Sequence, residues 1–141
     1  MTIEEVKSRL RRYNELRRDC RKLHREIARR RADMTSPRAV KADALPGGRG
    51  NSLEAAIEKI DALEHRLRRL ESDAVTARYN AEALITLADD PDGAAILRLH
   101  YIDGVRFEDV PERLYISPAT MWRRYNQTIK IISEKLKNDS E

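Results

Sequence analysis

The sequence predicts an all-α protein: an N-terminal coiled-coil-like helical hairpin followed by a C-terminal trihelical helix-turn-helix domain. Three observations predict it. Two long runs carry apolar residues at spacings of three and four, no stretch alternates with the period of two that a strand requires, and capping signals stand where helices should begin. The composition agrees, because 37% of the 141 residues are charged and only 5% are aromatic. That balance suits long solvated helices more than a packed globule.

The first element opens at Thr2, which with Glu5 forms a capping-box pattern. Apolar residues then recur at Ile3, Val6, Leu10, Tyr13, Leu16, Cys20, Leu23 and Ile27, with arginines on the other faces. This heptad-like stripe predicts one helix over about 3 to 32. Residues 33–52 collect Thr35, Ser36, Pro37, Pro46, Gly47, Gly48, Gly50, Asn51 and Ser52, and predict a flexible loop. Asn51 with Glu54 offers the next capping box. Leu53, Ile57, Ile60, Leu63, Leu67, Leu70, Ala74 and Ala77 make a second stripe reaching about Leu87. Each stripe is a narrow seam that needs a partner, the other arm or a second chain, so residues 1–88 read as an oligomerisation region and a homo-oligomer is expected.

Asp89-Asp90-Pro91 marks a break and a new start, with Asp90 as cap and Pro91 in the first turn, so residues 89–141 read as a second domain. Ile96, Leu97, Leu99, Tyr101 and Ile102 form a short apolar helix that Gly104 can stop in a left-handed turn. Phe107, Val110 and Leu114 share one side of the next helix. Pro111 lacks a backbone donor, which predicts that this helix starts late. Tyr115-Ile116 form a turn, Ser117 caps, Pro118 takes the first position, and a third helix runs to about Leu136 with Met121, Tyr125, Ile129 and Ile132 inward.

Charge is unevenly spread. Residues 1–34 hold 12 basic and 6 acidic side chains, residues 35–90 hold 8 and 10, and residues 91–141 hold 8 of each. Within the last stretch, 103–112 is acidic apart from Arg106, whereas 117–137 carries Arg123, Arg124, Lys130, Lys135 and Lys137 against Glu134 alone. An anionic partner is expected for the basic arm and for the third helix. In a helix-turn-helix the third helix enters the major groove, about 12 Å wide, and its N-terminal residues meet base edges. Ser117, Thr120, Trp122, Arg123, Asn126 and Gln127 are the outward candidates. Arg bonds two guanine acceptors at once, Asn or Gln reads adenine, and the Thr methyl meets a thymine methyl. Ser117 can donate to a phosphate. Arg17 and Arg18 are expected to support affinity for all sequences alike.

Residues 90–125 resemble the sigma-factor region 4 type of helix-turn-helix found in small phage transcriptional regulators of the RinA and ArpU kind. The likeness rests on Asp90-Pro91, Ile96-Leu97, Tyr101-Ile102, Gly104, Phe107-Glu108, Val110, Leu114, Ser117, Thr120-Met121 and Arg123. It extends to a coiled-coil-like helix pair and a loop containing Thr35-Ser36 and Gly47-Gly48 ahead of the domain. Pro111 departs from it, standing where a small helix former is usual. The resemblance implies sequence-specific binding of double-stranded DNA at late or packaging-gene promoters in a bacterial host cell, with RNA polymerase a further candidate partner. By position it adds Ala119 to the base-contacting set, beside Thr120, Trp122 and Arg123. A small terminase subunit that recognises phage DNA, or a coiled-coil adaptor for a protein partner, are the other readings.

Other chemistry finds little support. Cys20 is the only cysteine, which excludes an internal disulfide and a Cys-rich zinc site. Cys20 and His24 are one turn apart, but His65 and His100 lie in other segments, so no metal and no other cofactor is expected. The Gly47 to Gly50 cluster follows no strand and reads as a linker, not a phosphate cradle. No nucleophile and base pairing appears, so the chain is not expected to be an enzyme. No apolar run approaches the roughly 18 residues of a membrane span, and no signal-peptide core opens the chain, so a cytoplasmic protein without membrane contact is expected.

Overall fold

The computed structural model describes residues 1–35 and 49–139, with side chains in the second stretch from Ser52 onward. All regular structure among them is helical. The elements are α1 (Ile3–Thr35), α2 (Arg49–Ile85), α3 (Pro91–Leu97), a π-helical turn (Arg98–Ile102), a 3-10 turn (Phe107–Asp109), α4 (Val110–Leu114) and α5 (Pro118–Asp139).

The predicted capping box of α1 forms in both directions. The Glu5 amide donates to Thr2 Oγ1 at 3.2 Å, and the Thr2 amide donates to Glu5 Oε2 at 3.4 Å. The helix ends three residues later than the apolar stripe predicts. Thr35 stays helical because its hydroxyl donates back to the carbonyls of Arg31 and Ala32, at 3.4 and 3.1 Å. The predicted loop is shortened at its other end too. α2 begins at Arg49, so Asn51 lies inside the helix and not at its cap. Small polar residues are as welcome in a first turn as in a loop, and composition cannot tell the two apart. The rest of the predicted loop, residues 36–48, lies outside the described residues.

The chain gathers into two compact units: residues 16–73, and residues 1–15 together with 74–141. In the first, Cys20, Leu23 and Ile27 of α1 meet Ile60, Leu63 and Leu67 of α2 in one buried cluster, with Met34 and Leu70 at its edge. The two seams therefore cover each other within one chain, and they do not by themselves call for a second copy. Arg31 pairs with Glu64 across the seam, and His24 Nε2 lies 3.3 Å from Glu71. Burial pushes the Cys20 thiol up, helped by the charges of Glu71 and Asp19, so the thiolate is disfavoured and the residue acts as a small hydrophobe.

In the second unit Val6, Leu10 and Tyr13 of α1 and Ala77, Ala81, Leu84 and Ile85 of α2 are buried, as are Ile96, Leu97, Tyr101, Ile102, Val110, Met121, Tyr125, Ile129 and Ile132. The first turns of α1 and the last turns of α2 belong to the same compact unit as the C-terminal helices, a division that differs from a boundary at residues 88 and 89. Side chains tie these pieces together. Asn14 Nδ2 donates to the His100 carbonyl at 3.1 Å, and Ser133 Oγ donates to the Met1 carbonyl at 2.6 Å. Among the described residues, no helix is long and apolar enough to cross a membrane.

Candidate nucleic-acid interface

Asp90 caps α3, its carboxylate accepting from the Asp92 amide at 3.2 Å, with Pro91 in the first turn where its missing donor costs nothing. The apolar run through Ile102 is not one α-helix. It widens after Leu97 into a π turn closed by the Asp103 amide on the Arg98 carbonyl, 3.0 Å, and ends where Gly104 takes φ +76°. The next helix starts late, as Pro111 requires: a 3-10 turn carries Phe107–Asp109, and α4 opens only at Val110, so the proline sits in the first turn.

Tyr115 ends α4 in the left-handed conformation, φ 55° and ψ 43°, and the Ile116 amide reaches back to the Pro111 carbonyl at 3.0 Å. This closes the tight turn between α4 and α5 with a residue other than glycine, which no sequence rule flagged. The Tyr115 side chain is 96% exposed. Ser117 then caps α5, its Oγ accepting from the Thr120 amide at 3.1 Å while its hydroxyl donates to Thr120 Oγ1 at 2.9 Å. The Ser117 hydroxyl proton is thereby committed to Thr120, so a phosphate contact from Ser117 has to displace that bond.

α5 is split lengthwise. Met121, Tyr125, Thr128, Ile129 and Ile132 are buried. Ser117, Ala119, Trp122, Arg123, Asn126 and Gln127 are exposed, and Thr120 is half-buried. Among the described residues no carboxylate lies within ion-pair distance of Arg123, whereas its neighbour Arg124 is paired with Asp92 of α3. Two adjacent arginines that look alike in sequence therefore differ: one anchors α5 to α3 and the other is free at the surface. Arg106 is likewise spent, lying 3.7 Å from Glu108 and 3.5 Å from Asp109.

Beneath the exposed face lies an aromatic cluster that the sequence reading missed. Phe107 stacks on His100 with centroids 3.5 Å apart and meets Trp122 at 4.8 Å and Tyr125 at 5.1 Å. Trp122, 43% exposed, thus has one side on this cluster and one side outward. Tyr101 and Tyr125 join hydroxyls at 2.6 Å in the core. Burial pushes both phenols above their ordinary range, and Lys7 Nζ lies 5.8 Å from the Tyr125 ring centre. Burial also holds His100 below its ordinary value, opposed by the bond its Nδ1 makes to the Val105 carbonyl at 2.8 Å. The imidazole is neutral at pH 7 and acts as packing and as a clasp on the loop after the π turn. The signal available in sequence was that the only Phe and the only Trp stand among three tyrosines within residues 101–125.

A family described as a protein of unknown function, DUF1492, matches residues 33–133, more than two thirds of the sequence. The chain belongs to the DUF1492 family. The match runs from the last residues of α1 to Ser133 of α5, so the DUF1492 region contains α2, α3, α4 and α5 as far as Ser133, including the exposed residues from Ser117 to Gln127. No curated protein and no solved structure matches the chain. Among the described residues of this DUF1492 member, no group of three or more His, Cys, Asp or Glu side chains could hold a metal ion.

Proposed function

We propose that this protein is a sequence-specific, double-stranded DNA-binding transcriptional regulator that lays α5 in the major groove. The observation that carries the reading is the division of α5. Its inner side is fixed by Met121, Tyr125, Ile129 and Ile132, while a face bearing Thr120, Arg123, Asn126 and Gln127 is presented directly after a tight, capped turn. A groove-reading helix needs this combination: a rigid backing, a free outer side, and donors and acceptors that match base edges.

Arg123 is the strongest candidate for a guanine, because no carboxylate among the described residues pairs with its guanidinium. Asn126 and Gln127, one turn further on, suit adenine, and Ala119 with the Thr120 methyl suits the thymine methyl. Trp122 adds an apolar edge beside them. The resemblance of residues 90–125 to sigma-factor region 4 in RinA- and ArpU-like phage regulators supports the same reading and points to late or packaging-gene promoters.

Selection of duplexes from a randomised pool by the full chain tests it. The reading expects enrichment of a defined sequence, and Arg123→Ala should lower affinity for that sequence by about 1 to 3 kcal/mol while leaving arbitrary duplexes nearly unaffected. A pool that remains random after selection refutes it.

A further inference from the structure

α1 carries a second stripe. The seam residues of its 16–35 portion are Leu16, Cys20, Leu23 and Ile27, spaced four, three and four, and all are buried. Arg18, Lys22, Arg25 and Arg29 repeat that spacing two residues later, and all are exposed. Two residues advance about 200° around a helix, so Arg18, Arg25 and Arg29 point away from the seam, while Lys22 stands at its flank, lining a surface hollow with Asp19, Glu26 and Arg66. The carboxylates of α2 that neutralise Arg31 and meet His24 do not pair with these four. Among the described residues none of them has an ion-pair partner, whereas Arg30, Arg31, Arg78, Arg98, Arg106 and Arg124 all do.

A solvated helix face ordinarily mixes signs, since like charges one turn apart repel. The α2 side of this unit does so, with 5 basic and 6 acidic residues over 49–73, against 8 and 3 over 16–35 of α1. A run of one sign, in register, exposed and without an ion-pair partner among the described residues, is a surface arranged for an external polyanion. From Arg18 to Arg29 it is about 16 Å long, the axial rise of roughly five base pairs.

We infer that Arg18, Lys22, Arg25 and Arg29 form a phosphate-binding stripe that holds duplex DNA without reading its sequence. The inference rests on the function proposed above and adds a separate contact on the hairpin unit. α5 supplies discrimination and the stripe supplies salt-sensitive affinity. It also sharpens the expectation for Arg17 and Arg18: Arg18 lies on the stripe, while Arg17 is half-buried at its flank and already engaged within the protein.

The test uses the full chain and a fluorescent duplex of arbitrary sequence titrated over a range of salt. Replacing all four residues by glutamine keeps helix propensity and removes the charge. The slope of log affinity against log salt should become shallower by more than one phosphate's worth, up to about 3.6 if all four sit on phosphates, and affinity should fall at least tenfold at moderate salt. A control carrying Arg18→Lys, Arg25→Lys and Arg29→Lys should keep the wild-type slope, because point charges suffice for this contact. A slope change below roughly 0.9 in the glutamine variant overturns the inference, and so does an equal loss in the lysine variant, which would make the effect structural. If the glutamine variant instead loses binding to phosphatidylserine vesicles while keeping that for duplex, the stripe serves a membrane and the assignment is overturned. Arg123→Ala separates the two claims. If it still abolishes sequence preference while the glutamine variant binds like wild type, only the stripe fails, and if wild type binds no duplex, the parent reading fails with it.

Discussion

Replacing Gly93 by alanine puts a methyl group where Thr128 already stands. A Cβ built on Gly93 would lie 2.0 Å from Thr128 Oγ1 and 3.1 and 3.2 Å from its Cβ and Cγ2. Thr128 is buried on α5, and its β-branched side chain has few rotamers to escape into. The helices α3 and α5 must therefore part or Thr128 must leave its rotamer, and overpacking of this kind costs about 1 to 3 kcal/mol. Alanine's better helix propensity returns at most about 1 kcal/mol, and less in a first turn. A net loss of about 1 to 2 kcal/mol should lower the melting temperature by roughly 3 to 10 °C in a chain of this size. Thermal and urea unfolding followed by circular dichroism would measure it. The decisive comparison is a double-mutant cycle with Thr128→Ala, which removes the obstructing Oγ1 and Cγ2. The double variant should be more stable than the sum of the single losses by about 1 kcal/mol. Strict additivity, or a Gly93→Ala variant as stable as wild type, refutes the close approach of the two helices.

Further consequences follow from the core under α5. His100 is held below its ordinary value by burial, so the folded state resists a proton that the unfolded chain accepts. The stability this confers is complete above about pH 6.5 and is lost as pH falls through the lower folded-state value. The unfolding free energy of His100→Gln should therefore fall less steeply than that of wild type between pH 7 and pH 5, and parallel curves would contradict this. Tyr101→Phe leaves the Tyr125 hydroxyl buried without its 2.6 Å partner and should cost about 1 to 3 kcal/mol in urea unfolding, whereas Tyr101→Phe with Tyr125→Phe should recover most of it. A double variant as damaged as the sum of its parts would rule out the hydroxyl pair as the source.

Much of the fold is legible in local patterns. Asp90-Pro91 and Ser117-Pro118 announce helix starts because capping is decided by residues within one turn. Gly104 announces a stop because its left-handed φ is a single-residue property. Met121, Tyr125, Ile129 and Ile132 announce the buried side of α5 through spacing alone. What stays hidden depends on partners distant in sequence or on residues that break the usual preference. The contact between Gly93 and Thr128 needs two helices in place, and nothing local distinguishes Arg123 from Arg124 until Asp92 arrives beside the second. Tyr115 takes a left-handed angle that rules reserve for glycine. The π turn at Arg98–Ile102 inserts a widened turn into a run whose periodicity reads as plain α-helix. The apolar stripes of α1 and α2 are continuous, and so do not show that the chain changes compact unit near residues 15 and 74.

For the candidate site, sequence supplied the polar face of α5 and structure supplied its state. The seven residues proposed to meet DNA lie in the first half of α5 and its cap, six exposed and Thr120 half-buried. The Ser117 hydroxyl is engaged in its own cap, and the inner side of Trp122 is part of the aromatic cluster. These refinements leave Arg123, Asn126 and Gln127 as the groups freest to read bases.

Methylation interference on a duplex recovered by selection addresses the groove directly. Guanine N7 lies only in the major groove, so a methyl group there should block binding at one or more guanines. With Arg123→Ala, at least one of those positions should become indifferent to methylation. Binding that tolerates N7 methylation at every guanine, yet is lost when adenine N3 in the minor groove is methylated, would contradict the placement of α5.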